Sequence, residues 1–169
     1  MHRNTLLKKM ENYEAFEQEK EFKSRIISFV KKHKDCFERS LEIGHITASC
    51  WLLNNDHTKA LLMHHTKLDM WVQPGGHCDG DSDVVAVALK EAREESGIQG
   101  IEPVSTDIFD IDIHLIPENS KEKAHYQKEG RWKDTYTIDF NSGIQRETFK
   151  DYKDKWELLE KEVERQVRG

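Results

Sequence analysis

The feature that most restricts the fold of this chain is a short unit in which an extended stretch runs through a glycine-rich turn into a helix. Trp71 and Val72 have the pattern of a strand end, and Pro74-Gly75-Gly76 follows as a tight turn. Glycine has no Cβ, so the backbone at this turn can approach a group that any other residue would block. The pattern predicts a strand, a close backbone contact and then a helix.

The helix that follows this turn is predicted over residues 84–96. Ser82 or Asp83 can cap its N-terminus, and Gly97 can end it in a left-handed conformation. Four apolar residues at helical spacing form the stripe that is expected to face the core: Val85, Ala88, Leu89 and Ala92.

Three glutamates beside that stripe are the strongest chemical signal in the sequence. Glu91, Glu94 and Glu95 lie on neighbouring positions of the helix surface, where like charges repel and raise one another's pKa. Mg²⁺ or Mn²⁺ would relieve this repulsion, because such hard cations prefer carboxylate oxygens. The alternative is a solvated acidic face with Lys90 and Arg93 as counter-charges. The glycine turn just upstream favours the metal site, because it can place backbone carbonyls beside the carboxylates.

The apolar residues are concentrated in the middle of the chain. Residues 41–117 contain 22 of the 39 Leu, Ile, Val and Phe residues, whereas residues 118–169 contain 8. We expect the core in 41–117, with charged arms on either side. Residues 1–40 are interpreted as an N-terminal helical extension and residues 41–169 as the main domain, with 118–169 atypical and charged.

The periodicity of the remaining segments indicates a mixed sheet between helices. Residues 5–38 have helical spacing in two pieces, with a break at 17–21, and form an amphipathic cover on the domain. Alternation and β-branched residues predict strands at 46–53, 107–114 and 135–140, with 60–65 as the hairpin partner of the first. A closing helix is predicted from Phe149 to Val163. Strands on both sides of a central helix favour an α/β fold.

Composition excludes several classes of protein. No apolar run approaches the length of a membrane span, and the first residues lack the apolar region of a secretory signal. Three scattered cysteines do not make a disulfide framework or a zinc site, which favours a reduced, cytoplasmic protein. The net charge of −6 disfavours binding to nucleic acid, which needs a basic face.

The segment Gly76–Ile98 resembles the Nudix box of the Nudix hydrolase superfamily. That box is Gly-x5-Glu-x7-Arg-Glu-U-x-Glu-Glu-x-Gly-U, with U an apolar residue, and every spacing matches over 23 residues. The preceding Trp-x-x-Pro-Gly-Gly is also common in the family, and Pro-Gly-Gly-His-x-Asp is a variant within it. The resemblance implies a Nudix-type α/β/α sandwich with a mixed sheet and an extra N-terminal helical segment.

The resemblance also implies an activity. Nudix enzymes hydrolyse a nucleoside diphosphate linked to another moiety, with water attacking a phosphorus of the diphosphate bridge and metal ions stabilising the charge. Carried over by position, Glu91, Glu94 and Glu95 would bind Mg²⁺ or Mn²⁺ together with the Gly76 carbonyl. Glu94 or Glu91 would deprotonate the water. The partner would be a small nucleoside diphosphate derivative, and a homodimer is compatible with the sequence.

Three further residues are candidate substrate contacts. His77 follows the metal glycine and is placed to touch a phosphate, or else it orders the loop through its backbone bonds. Lys90 occupies the arginine position of the box. His114 lies on the alternating strand 107–114, where the alternative is an exposed histidine without function.

Two departures from the box raise alternatives. Ser82 stands at the first glutamate position and Lys90 at the arginine, positions that brace the loop against the helix in the family. Because the glutamate and the arginine are both replaced, neither is left as a buried charge without its partner, so we expect activity to be retained. A non-catalytic nucleotide-binding module stays open, as does an enzyme like isopentenyl diphosphate isomerase that uses Cys78.

The C-terminal part departs further from the family. After Pro117 a Nudix domain should supply another apolar strand, but the stretch that follows is polar, and 135–140 is a short substitute. A remodelled C-terminal third and a reading frame altered near residue 127 both explain this. The substrate is not identified, because specificity in the family comes from loops outside the box.

Overall fold

The computed structural model describes residues 3–65, 70–115 and 134–144, with the backbone alone for Met70, Leu115 and 134–144. The helices are α1 (Asn4–Asn12), α2 (Lys20–Lys32) and α3 (Val84–Ser96), with a short 3-10 turn at Glu17–Glu19 before α2. The strands are β1 (Gly44–Leu53), β2 (Ala60–Leu61), β3 (Met63–His65), β4 (Met70–Val72), β5 (Gly75–His77), β6 (Ile101–Leu115) and β7 (Asp134–Ile144).

Five strands form one mixed sheet around β1. β7 lies between β1 and β6, parallel to β1 over ten residues and antiparallel to β6. β2 and β5 both pair antiparallel with β1, β2 at its C-terminal end and β5 along its middle. The mixed sheet, the α/β class and the N-terminal helical segment are therefore confirmed. The predicted C-terminal helix from Phe149 to Val163 lies outside the described residues.

Two strand predictions were wrong in extent. β7 runs from Asp134 to Ile144 and fills a full-length position inside the sheet, so it is no short substitute for a missing strand. The hairpin partner predicted at 60–65 is divided, because only Ala60–Leu61 pairs with β1. Met63–His65 instead pairs with Met70–Val72 in a separate two-stranded sheet.

Helix α3 has the predicted ends. The Asp83 carboxylate accepts a hydrogen bond from the Ala86 backbone N–H at 3.1 Å, so Asp83 rather than Ser82 is the cap. At the other end Gly97 has φ 73°, the left-handed conformation that glycine adopts without strain. The buried face is rotated from the predicted stripe: Val84 and Val87 are buried, while Val85 and Leu89 are only partly so.

The N-terminal segment contributes to the core. Seven of its residues belong to the same buried cluster as the sheet and α3: Leu6, Met10, Ile26, Phe29, Val30, Cys36 and Phe37. Arg3 joins the two helices by donating to the backbone oxygens of Val30 at 2.6 Å and His33 at 3.0 Å. The amphipathic cover is confirmed, but the core is not confined to 41–117 as the composition predicted.

The two faces of β1 differ in character. Ile46, Ala48, Cys50 and Leu52 are fully buried in the cluster that includes α3. The alternate residues His45, Thr47 and Ser49 are polar, buried, and point to the other face of the sheet. Among the described helices, none combines the length and the apolar character that a membrane crossing requires.

Candidate active site

The predicted metal glycine and the first predicted metal glutamate are in direct contact. Gly76 pairs with Ala48 of β1, on the side of the sheet that α3 covers. A Cβ added to Gly76 would lie 2.7 Å from Cδ and Oε2 of Glu91. The side chain of Glu91 is only 18% exposed. Glycine at position 76 is therefore what allows this carboxylate to rest against the strand.

Glu95 reaches the same strand one residue earlier. Its Oε2 accepts a hydrogen bond from the Gly75 N–H at 3.0 Å. Partial burial of the carboxyl group raises the pKa of Glu95, and the neighbouring charges of Glu91 and Glu94 raise that pKa further, against the lowering effect of the Gly75 bond. Like charges on the helix therefore act on Glu95 in the direction that the spacing of the glutamates predicts, although burial has the larger effect.

Glu94 lies on the solvent side of this cluster and faces a lysine. Lys90 Nζ is 3.4 Å from Glu91 Oε1 and 3.8 Å from Glu94 Oε2. Both carboxylates raise the pKa of Lys90, Glu91 most strongly. Lys90 therefore supplies counter-charge to this acidic face, but Lys90 and Glu94 are both largely exposed, so their pair adds little to stability.

The donor set fits a hard divalent cation in its chemistry. Three carboxylates and a backbone contact that only glycine permits are gathered where α3 meets β5. Their present directions diverge, since Glu95 faces the Gly75 N–H and Glu94 faces Lys90. Within residues 3–65, 70–115 and 134–144, no three His, Cys, Asp or Glu side chains are arranged to hold an ion.

His77 lies on the other face of the sheet from Glu91. Successive residues of a strand point to opposite faces, and the Gly76 position faces Glu91, so His77 points away. Its Nδ1 is 2.8 Å from Nε2 of the fully buried His45. The structure brings His77 to His45 and not to the carboxylates.

His114 occupies the same face as His77. It pairs with Thr135 of β7, which pairs in turn with His45 of β1, so the three positions form one row across the sheet. Its Nδ1 is 3.0 Å from Oδ2 of Asp112 on the same strand, and both side chains are about half exposed. The structure does not bring His114 to the α3 glutamates.

The position of the first box glutamate faces α1. Ser82 lines a cavity of about 190 Å³ together with Thr5, Leu6, Lys9 and the first residues of α3. Lys9 crosses toward β6 and donates to the backbone oxygen of Thr106. The N-terminal helix thus occupies the neighbourhood of position 82.

The loop between β5 and α3 is held by a segment that the sequence did not single out. The Arg39 guanidinium donates two hydrogen bonds to the Asp79 carboxylate, and the Gly80 N–H donates to the Phe37 oxygen at 3.1 Å. Forty positions separate Arg39 from Asp79, so no local pattern could have predicted the pair.

Comparison with known proteins agrees with this geometry. No curated protein matches the chain. The family model of the NUDIX domain matches residues 44–164, well over half of the sequence, from the start of β1 through α3 and beyond β7. The matched region contains the Gly76–Glu91 contact and all three α3 glutamates. Because the family model matches well over half of the sequence, and the match includes this contact and these glutamates, the chain belongs to the NUDIX domain family.

Proposed function

We propose that this protein is a metal-dependent hydrolase of a nucleoside diphosphate linked to another moiety, with water attacking one phosphorus of the diphosphate bridge. Membership of the NUDIX family supports a hydrolase of nucleoside-diphosphate-linked substrates in general. The observation that carries the finer proposal is the contact of the Glu91 carboxylate with Gly76, with Glu95 bonded to the preceding residue, Gly75.

Glu91, Glu94, Glu95 and the Gly76 carbonyl would hold Mg²⁺ or Mn²⁺, which supplies charge neutralisation on the diphosphate oxygens and acidifies water. Little rearrangement is needed for Glu91, because it already lies against Gly76. Glu94 and Glu95 must turn from Lys90 and from the Gly75 N–H, and their exposure leaves them free to do so.

The protein's own side chains account for the proton and the leaving group. The water oxygen forms a bond to one phosphorus while the bond from that phosphorus to the bridging oxygen breaks, and the bridging oxygen leaves with the bonding electron pair as a terminal oxyanion of the other phosphate. A carboxylate oxygen of Glu94 or Glu91 accepts the proton of the water. The Lys90 ammonium, beside both carboxylates, donates to a phosphate oxygen of the substrate and so balances its charge.

The environment of Cys78 argues against the isomerase alternative, which needs this residue as a reactive cysteine. Cys78 is 3% exposed, and burial, with nearby acidic groups, raises the pKa of its thiol to about 12. A buried, protonated thiol does not contact an isoprenoid diphosphate at the surface of α3. The non-catalytic binding module remains the main competitor, because Glu94 and Glu95 do not converge with Glu91.

A substrate screen with one pair of variants tests the proposal. Nucleoside diphosphate sugars, dinucleoside polyphosphates, ADP-ribose and nucleoside triphosphates are each incubated with Mg²⁺ and Mn²⁺, and phosphate products are measured. We expect hydrolysis of one class, reduced about 100-fold or more in Glu91→Gln. Glu21→Gln changes an exposed glutamate of α2 and serves as the control, with wild-type activity expected. Metal-dependent nucleotide binding with no hydrolysis in any class would overturn the proposal in favour of the binding module.

Three sequence expectations stay predictions alongside this proposal. His77 and His114 as substrate contacts require the substrate to reach the face of the sheet opposite α3. The homodimer and the cytoplasmic location also stand on the sequence alone.

A further inference from the structure

The loop from Cys78 to Asp81 connects the strand of Gly76 to the helix of Glu91, so its conformation fixes how these two residues meet. Asp79 has φ 49° and Gly80 has φ 87°, both in the left-handed region. Aspartate enters this region more readily than most residues but less readily than glycine, so contacts from outside the loop help to hold Asp79 there.

Residues 37–39, from the segment before β1, supply those contacts. Arg39 Nε is 2.5 Å from Asp79 Oδ1 and one Nη is 2.7 Å from Oδ2, which is a bidentate fork. The Phe37 oxygen accepts the Gly80 N–H at 3.1 Å. A Cβ on Gly80 would lie 2.5 Å from Glu38 Oε1, so the Glu38 carboxylate lies close against the Gly80 backbone.

This segment is itself fixed to β1. The Ile46 N–H donates to the Cys36 oxygen at 2.7 Å, and Cys36 and Phe37 are buried in the core. β1 is also the strand that pairs with Gly75–His77. The loop is therefore tied to β1 on both sides, directly through β5 and indirectly through residues 36–39.

Neither residue at the family's bracing positions makes this connection. Ser82 faces the cavity beside α1, and the ammonium of Lys90 lies with Glu91 and Glu94.

We propose that Arg39 is a positioning residue of this NUDIX domain: by its fork to Asp79 it fixes the 78–81 loop and thereby the contact of Gly76 with Glu91. The inference rests on the proposed function, because Gly76 and Glu91 are taken as metal ligands. In the family, a glutamate and an arginine of the box brace this loop against the helix. Here those two positions hold Ser82 and Lys90, and the proposal gives the bracing role to the N-terminal segment instead.

The test compares Arg39→Gln and Asp79→Asn with Arg25→Gln as a matched control. Arg25 also pairs with a carboxylate, Glu21 at 3.9 Å, but on the surface of α2. Three quantities are measured: hydrogen exchange of peptides covering 76–82 without metal, Mn²⁺ affinity by electron paramagnetic resonance, and kcat and KM on the substrate found in the screen.

We expect hydrogen exchange over residues 76–82 to be about tenfold faster in Arg39→Gln and Asp79→Asn. Both variants should also bind Mn²⁺ about tenfold more weakly, which is the lower end of the affinity loss expected when a group that supports a metal ligand is removed. kcat should fall more than KM changes, and the melting temperature should stay near that of the control. Arg39→Lys should recover part of the Mn²⁺ affinity, since an ammonium keeps the charge but not the fork.

The outcomes separate this inference from the proposed function. If wild type binds Mn²⁺ but hydrolyses nothing, faster exchange and weaker Mn²⁺ binding in the variants still support the positioning role. If wild type hydrolyses a substrate while exchange, Mn²⁺ affinity and kcat in Arg39→Gln equal those of Arg25→Gln, the positioning role is overturned. The positioning role is also overturned if a lower melting temperature of the variants accounts for their changes in exchange, Mn²⁺ affinity and kcat, and Arg39→Lys recovers none of these.

Discussion

The carboxylate of Glu91 rests against the backbone of Gly76, although fifteen positions of sequence separate the two residues. The space that a Cβ would take at Gly76 lies 2.7 Å from Glu91 Oε2. The pairing of β5 with β1 sets one side of this contact, and the packing of α3 on the same strands sets the other. The contact brings the two halves of the box together in one candidate site.

Alanine at the two turn glycines should separate catalysis from stability. In Gly76→Ala the three atoms nearest the new methyl group all belong to the flexible end of Glu91, which can move aside. We expect about a 100-fold loss of kcat/KM, the effect of displacing a catalytic group by about an ångström, and a change in the free energy of unfolding of about 1 kcal/mol or less.

In Gly75→Ala the methyl group meets Cβ of Ser49 at 2.3 Å and its Cα at 2.8 Å, so the paired backbones must move apart. We expect a loss of at least about 2 kcal/mol in the free energy of unfolding. Chemical denaturation of both variants checks the contrast. Equal loss of stability in the two variants would mean that Gly76 does not face a movable side chain.

Stability should depend on pH through two carboxyl groups that join the N-terminal segment to β6. Glu19 is nearly buried and accepts hydrogen bonds from Tyr13 Oη at 2.9 Å and from the Phe16 N–H at 2.8 Å. Asp110 also bonds to it. Burial opposes ionisation of Glu19, but these bonds together hold its pKa below the usual range. Burial, then the bond to Glu19, raises the pKa of Asp110 to about 6.

The folded protein therefore keeps a proton on Asp110 between pH 3.8 and about 6 that the unfolded chain has released. The stability from this proton is lost as pH rises through about 6, whereas that from ionised Glu19 is lost as pH falls below its usual pKa of 4.5. We expect stability to be greatest close to or just below pH 4.5 and to fall by about 1–2 kcal/mol as the pH rises through about 6. Urea denaturation across pH 4–8 measures it. The fall should disappear in Asp110→Asn, and its persistence there would assign it to other groups.

The thiol of Cys78 should be unreactive in the folded protein. Its burial and its pKa of about 12 leave little thiolate at neutral pH. Labelling with Ellman's reagent should be about 100-fold slower than in urea, since it needs local opening. Cys78→Ser should keep full hydrolytic activity. Rapid labelling of Cys78 together with loss of activity in the serine variant would revive the isomerase alternative.

The N-terminus of α3 offers a comparison between adjacent residues. Asp83 bonds to the Ala86 N–H, whereas Ser82 lines the cavity beside α1. Asp83→Ala should lower the free energy of unfolding by about 1 kcal/mol, the usual value of a cap, and Ser82→Ala should change it by less than about 0.5 kcal/mol. Thermal unfolding of both variants decides which residue is the cap. The reverse order of the two values would show that Ser82 is the cap in solution.

Local signals predicted the elements of the fold better than their arrangement. The ends of α3 are as predicted, because a capping carboxylate and a left-handed glycine act within one turn of the helix. The length of β7 was underestimated, because polar residues in a strand are tolerated where neighbours on both sides complete its backbone bonds. Its central place depends on pairing with β1, about 90 residues away in sequence.

The candidate site shows the same contrast between local signals and long-range arrangement. The spacing of Glu91, Glu94 and Glu95 follows from the helical repeat, so the sequence alone predicted three neighbouring carboxylates. Which of them touches Gly76, and which face of the sheet receives His77, depends on how β5 pairs with β1. That pairing joins strands far apart in the chain, which no local pattern encodes.

The strand–turn–helix unit, its helix ends and the clustering of its carboxylates can be predicted from the amino-acid sequence, because these depend on residues within a few positions of one another. Three other features appear only in the folded chain: the N-terminal segment shares the core, Glu91 rests on Gly76, and Arg39 bonds to the loop between them. They join segments remote in sequence, which come together only when the common core is buried.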